Sequence, residues 1–320
     1  MYMFKYILKR LGLLVMTFMI IEIVSFVLIK ALPLEINVGI GQDKEIILRQ
    51  FESRHYYDPI PVQFFYYIKL IFTEGDFGIF YNLSEYSNQS VVEIFRLKLP
   101  PTVLINVYST LLAVPIGIGL GIFTALKKNK WQDHTISTLV MVFISVPSFV
   151  YAFLVQFLFC FILGWFPLIM NAGYNYFTWS MLRSMMPAVI SLSFGSIAGY
   201  ARYTRAELTE VLTNDYMLLA RTKGLTRAQA TTHHALRNAM VPIFPSIVGE
   251  FVSVMSGSLI IESIFAVPGV GGLYLATINA MDYDAFMFLS GFYIGIGLLA
   301  SIVIDLSYGV IDPRIRMGAK

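Results

Sequence analysis

Residues 101–126 read PTVLINVYSTLLAVPIGIGLGIFTAL, with no Asp, Glu, Lys or Arg among them. A helix needs about 20 mostly apolar residues to cross the hydrocarbon core of a bilayer, so this stretch predicts a transmembrane span. Working outward, five more segments fit the same template: 11–32, 136–163, 184–201, 240–265 and 286–311, of which 136–163 is again free of charged residues. The composition of the whole chain agrees, with 57% hydrophobic and 13% charged residues, whereas a soluble globular domain carries about a quarter charged. One water-soluble core cannot bury that much apolar surface. The expected fold class is therefore an all-α polytopic membrane protein with six transmembrane helices. The first segment is too long and too weakly punctuated for a cleaved signal peptide, since no small-residue cleavage site follows it.

Orientation follows from where the basic residues fall. Lys5, Lys9 and Arg10 precede the first span, and Lys127, Lys128 and Lys130 follow the second. Arg202, Arg205, Arg221, Lys223, Arg227 and Arg237 follow the fourth, and Arg314, Arg316 and Lys320 lie in the tail. If six spans alternate, all of these face one side, while the opposite short loops near 164–183 and 266–285 hold only Arg183. Loops rich in Lys and Arg stay in the cytoplasm. Both termini are thus expected there, in a bacterial cytoplasmic membrane. The organisation is a first span within 1–32, an extracytoplasmic insertion over 33–100, a core with five spans over 101–313 and a cytoplasmic tail over 314–320. The core includes a cytoplasmic loop over 202–239.

That loop carries the most local information. Its segment NDYMLLARTKGLTRAQ, residues 214–229, reads as two helices with a break. Asn214 suits a helix N-cap, and Asp215 is favourable in a first turn. Gly224 suits the left-handed position beyond a helix end, and Thr226 with Gln229 forms a capping box. The first helix, about nine residues long, is marginal alone in water. Its apolar stripe of Tyr216, Leu219 and Ala220 follows i, i+3, i+4 spacing. Two readings fit: docking to a soluble partner, or packing on the chain's own bundle.

A charge at mid-membrane is costly, which singles out Glu22 and Glu250. They face either the pathway or a partner span, or are satisfied inside the bundle by a hydroxyl such as Ser25 or Ser253. Glu262 and Asp305 lie nearer span ends and are expected to be interfacial. His233 and His234 are adjacent and diverge on a helix, so they do not make a metal pair. Gly117 with Gly121, and Gly291 with Gly295, are small-xxx-small pairs that permit close helix approach. The single Cys160 excludes an intrachain disulfide and reads as a small buried hydrophobe. No phosphate-binding GxxxxGK[ST], HExxH or GxSxG pattern is present. Any ATP-derived energy must come from another polypeptide, and a membrane enzyme lacks a catalytic constellation.

The stretch from Ala220 to Gly224, followed by His234-Ala235-Leu236-Arg237-Asn238-Ala239 and Pro242, resembles the EAA loop of ABC-importer permeases, most closely the dipeptide and oligopeptide subclass. Leu218 stands where Glu is usual, and Arg237 replaces a Pro, as is normal for that subclass. Further motifs match in order. Gly75-Asp76-Phe77-Gly78 is similar to an extracellular GDLG element, Leu99-Pro100-Pro101-Thr102 to an LPxT entry, Phe265 to Gly271 to FxxPGxG, and Asp312 to Arg316 to a terminal DPRIR. Leu34 and Glu35 depart from the family's Gly-Asp after Pro33. The resemblance implies a type I ABC importer permease fold and a non-catalytic subunit. It also implies a coupling helix whose contacts to an ATPase involve Asp215, Tyr216, Leu219, Ala220, Gly224 and Arg237. The implied partners are a second homologous permease, two cytoplasmic ATPases that hold ATP and Mg, an extracytoplasmic binding protein and the lipid bilayer, with no nucleic acid. Peptides are the implied cargo, with nickel or a metallophore as an alternative within the family. An ion-coupled secondary transporter, supported by Glu22 and Glu250, is the alternative of another class.

Overall fold

The computed structural model describes residues 2–32, 44–173 and 175–311. The DPRIR motif, the tail basic residues and the Leu34-Glu35 departure lie outside them. In chain order the α-helices are α1 (Tyr2–Lys30), α2 (Lys44–Ser53), α3 (Ile60–Glu74), α4 (Val91–Leu126), α5 (Trp131–Ser145) and α6 (Ser148–Val155). They continue with α7 (Trp179–Leu212), α8 (Asp215–Thr222), α9 (Arg227–Ala230), α10 (Leu236–Ser253), α11 (Leu259–Ile264), α12 (Val270–Asn279) and α13 (Tyr283–Ile311). Among the described residues the only β pairing is an isolated bridge between Ile79 and Ser90. The all-α expectation holds.

Four described helices are long and apolar enough to cross a membrane: Leu8–Lys30 of α1, α4, α7 and Tyr283–Gly309 of α13. Two of the expected spans are not straight. The 136–163 segment is α5 and then, beyond a bend of 104°, α6 continued by a π-helical stretch over Gln156–Ile162. Val146, which precedes Pro147, sits in extended backbone (φ −86°, ψ 129°) because the proline ring disfavours the helical region for its predecessor. The 240–265 segment is α10 and α11, separated at Gly257, whose φ of +64° no helix accommodates. A β-carbon on Gly257 would lie 2.6 Å from the Glu262 carboxylate and 2.7 Å from Thr102, so glycine answers both to conformation and to space here. α4 begins at Val91, so the expected boundary at residue 100 falls inside a helix.

The chain forms two compact units, one from residues 1–100 and 268–298, the other from 101–267 and 299–320. In the first, Phe80, Val91, Ile94 and Phe95 pack with Val270, Leu273, Ala285 and Leu289. A neighbouring aromatic cluster joins Phe51, Tyr56, Tyr81 and Tyr283. Gly75, at φ +65°, caps α3: its N–H donates to the Ile71 carbonyl at 3.2 Å, and the Asp76 N–H donates to the Leu70 carbonyl at 3.3 Å. Asp76 accepts from the Gly78 N–H at 2.8 Å and from Arg54 Nη2 at 2.8 Å. Arg54 also reaches Asp284, at 3.6 Å, and the Tyr56 hydroxyl donates to the same carboxylate. Residues 75–78 thus form a turn locked to buried charges. Asp282 is 1% exposed, and its Oδ2 accepts from the backbone N–H groups of Tyr81, Asn82 and Leu83 at 2.9–3.1 Å. Burial pushes its carboxyl up to about 6 even though those donors favour the charged form.

The second unit centres on Ile105, Ala152, Val155, Met181, Met185, Ile261 and Phe265. Gly117 and Gly121 face α7: a β-carbon at the first would lie 2.7 Å from Tyr200 Cβ, and one at the second 2.5 Å from Thr204 Cβ. The expected close approach is therefore real for this pair. Large apolar side chains remain exposed on the spans, among them Leu28 at 65% and Phe161 at 68%. A bilayer covers such a surface at no cost, whereas water does not. The three tryptophans, Trp131, Trp165 and Trp179, are likewise exposed near span ends, where aromatic belts form.

Candidate functional site

The loop after α7 folds as its sequence dictates. Asn214 occupies the N-cap position of α8 in extended backbone, but its side chain makes no capping bond there. Gly224 follows α8 at φ +92°, and the Leu225 N–H returns to the Ala220 carbonyl at 3.3 Å. Thr226 and Gln229 complete both bonds of the capping box that opens α9. A π-helical stretch, Thr231–Ala235, then leads into α10.

α8 has eight residues and two different faces. Met217 and Ala220 are buried against Leu208 and Val211 of α7 and against Ala125, Ala230, Ala235 and Ala239. Four alanines at this junction let the short helices approach closely. Tyr216 packs partly on the same cluster. Leu218 and Leu219 stand 64% and 55% exposed. Of the expected stripe, Ala220 and Tyr216 pack on the chain's own bundle while Leu219 is exposed, and the exposed apolar pair is Leu218 with Leu219. Periodicity missed this because a helix with apolar residues on two sides offers two faces, and only packing tells which is covered. Asp215, Arg221, Lys223, Gly224, Arg227 and Arg237 are all exposed. The loop thus holds a short helix on a small-residue footing, with an exposed apolar pair on its other side.

The intramembrane acids part company. Glu250 Oε1 accepts from Ser196 Oγ of α7 at 2.9 Å. Ser253, the expected partner, donates instead to the Gly249 carbonyl. Glu250 therefore has a hydroxyl partner within the bundle. Glu22 is 7% exposed, and its Oε1 has no hydrogen-bond partner among the described residues, so Ser25 does not satisfy that oxygen. Glu262, expected near a span end, is enclosed by the chain itself. It is 3% exposed and accepts from Thr102 Oγ1 at 2.8 Å, which explains the threonine of the LPxT element. Asp305 is half-buried. His233 and His234 are exposed, and no group of three metal-ligating side chains occurs among the described residues.

One ion pair escaped sequence reasoning. Arg205 of α7 grips Asp133 of α5 through Nε at 2.6 Å and Nη2 at 2.8 Å, the two-pronged geometry of a strong pair. Asp133 opens an apolar segment directly after a lysine cluster, but nothing in its neighbourhood names a partner 72 residues away.

Four long apolar helices and one bent pair mark a polytopic membrane protein. Comparison with known proteins makes the class specific. The family model "Binding-protein-dependent transport system inner membrane component" matches residues 117–317. The dipeptide transport system permease protein DppB of Bacillus subtilis is 32% identical over 320 residues, covering 99% of this chain and all of that protein. The oligopeptide transport system permease protein OppB of Escherichia coli is 32% identical over 315 residues, with 98% and 100% covered. The glutathione transport system permease protein GsiC of Salmonella choleraesuis is 30% identical over 322 residues, with 98% and 99% covered. A solved structure of the MetNI methionine ABC transporter superposes with a TM-score of 0.51 at 15% identity, over 68% of this chain and 97% of that one, and so shares the fold. The chain belongs to the binding-protein-dependent transport system inner membrane component family and is the permease subunit of an ABC importer.

Proposed function

We propose that this permease forms half of a translocation pathway for di- or oligopeptides, handed over by an extracytoplasmic binding protein and driven by ATPases on separate chains. The observation that carries the substrate class is likeness, over nearly the full length, to permeases named for dipeptide and oligopeptide transport. A second, homologous permease completes the pathway, two cytoplasmic ATPases hold ATP and Mg, and both termini and α8 face the cytoplasm. Six membrane crossings, with the α5–α6 and α10–α11 pairs each counted as one broken span, meet that orientation.

In this reading α8 is the lever. Its inner face, Met217 and Ala220, is fixed to the bundle, so a force applied at Leu218 and Leu219 moves the helix with the spans behind it. Closure of the ATPase pair then switches the pathway between inward-open and outward-open states, which transports only if the two states bind the peptide differently.

The test is the double variant Leu218→Ser with Leu219→Ser in the assembled transporter. Both residues are exposed, so stability should shift by less than about 0.5 kcal/mol. Peptide uptake and binding-protein-stimulated ATP hydrolysis should fall together by about tenfold, because burial of two leucines at the docking surface is lost. Wild-type uptake in a variant that assembles would remove α8 from the coupling role. Failure of the wild type to import labelled peptides of any length would remove the substrate class alone.

A further inference from the structure

Glu22 lies on the apolar span of α1, eight residues before its end at Lys30, or about 12 Å along the axis. It lines a cavity of about 300 Å³ whose walls carry the rings of Phe18, Phe64, Tyr67, Phe72, Phe288 and Phe292. No Lys, Arg or His lines this space. α3 is held against α1 by ring contacts from Phe26 to Phe64 at 5.2 Å and to Tyr67 at 5.7 Å. On the α13 side, Gly291 leaves room for the carboxylate: a β-carbon there would lie 3.1 Å from Oε1 and 3.7 Å from Oε2.

We propose that this cavity binds an amphiphilic ammonium compound, with its single positive charge against Glu22 and its apolar body among the rings. A buried carboxylate oxygen without a partner is costly, so the site favours an occupant that brings a donor or a positive charge. Aromatic faces carry partial negative charge and attract the same sign of ligand. An anion would be repelled by both, and a plain hydrocarbon chain would leave the Glu22 oxygen without a partner. A bare metal ion would find one carboxylate and a wall of carbon where it needs several oxygen ligands. At about 30 Å³ for the share of one water molecule, the space also exceeds what a small ion fills. All the residues lining this site belong to the first compact unit.

The experiment uses the transporter purified with its partner subunits in lipid nanodiscs. A dodecylammonium probe bearing a photoreactive diazirine is crosslinked, and the labelled peptides are mapped by mass spectrometry. Label should appear in segments 18–22, 64–72 and 287–292, and be competed by dodecylamine far better than by dodecanol or dodecyl sulfate. Glu22→Gln should weaken competition by the amine about tenfold or more while leaving that by dodecanol unchanged. Should that variant fail to assemble, Phe18→Leu provides the second arm, with a loss of a few-fold expected for the amine. Equal competition by amine and alcohol overturns the proposal, as does label confined to other segments. Absence of saturable labelling in the complete transporter would mean that a lipid chain or a partner side chain fills the cavity, and would equally overturn it.

Discussion

Two glycines with nearly the same backbone angle serve opposite ends of the argument. Gly224, at φ +92°, ends α8 in open space, with no heavy atom within 4 Å of where a β-carbon would stand. Gly78, at φ +97°, faces the Asp284 side chain, where a β-carbon would fall 2.3–2.6 Å from three of its atoms. The first meets only a conformational demand. The second meets that demand and also makes room for a buried carboxylate shared with Arg54 and Tyr56. Motif glycines therefore do not act through one mechanism: the loop around α8 is exposed and mechanically simple, while the turn at 75–78 is bound into an ionic core.

The largest effect should come from Gly78→Val. Left-handed strain and overpacking against Asp284 add, for a loss of about 2–6 kcal/mol. Thermal unfolding of the purified complex reads this, and a loss below about 1 kcal/mol would show that Asp284 can yield. Second, Asp282 tests whether the core around that turn resists charge. Its folded-state value, about 6, stands above the ordinary 3.8, so its stabilisation is complete below about 3.8 and is lost as pH rises through about 6. Acidification from pH 7.5 to 5 should raise the melting temperature of the wild type. Asp282→Asn should flatten that dependence and recover on the order of 2 kcal/mol at neutral pH; an unchanged pH profile would refute the assignment. Of these three, the smallest change in stability belongs to Gly224→Val, about 1–2 kcal/mol of backbone strain with no clash. Its readout is sharper in coupling: uptake should fall while basal ATP hydrolysis persists, and uptake at the wild-type level would count against α8 as the lever.

How much was legible depended on the range of the interaction. The break at Gly224, the Thr226–Gln229 capping box and the helical character of the spans are set within a few residues, and all were readable. The bend at Pro147 was equally local, yet the uninterrupted apolar run around it concealed it, because hydropathy measures lipid compatibility and not straightness. The partners of Glu250, Glu262 and Asp133 were out of reach. Ser196, Thr102 and Arg205 lie 54, 160 and 72 residues away, and a hydroxyl or guanidinium carries no local mark of the carboxylate it will meet.

By itself, the order of amino acids determined that this chain lives in a bilayer, that its helices punctuate where glycine, proline and capping residues stand, and that one loop holds a short preformed helix. Those features follow from solvation and backbone sterics acting over one or two turns. Only the tertiary structure decided which face of α8 is covered, which buried acids find hydroxyls, and that Glu22 keeps an unpaired oxygen beside a ring-lined cavity. Such outcomes depend on which surfaces of distant helices meet, and close packing between them is a property of the assembled spans alone.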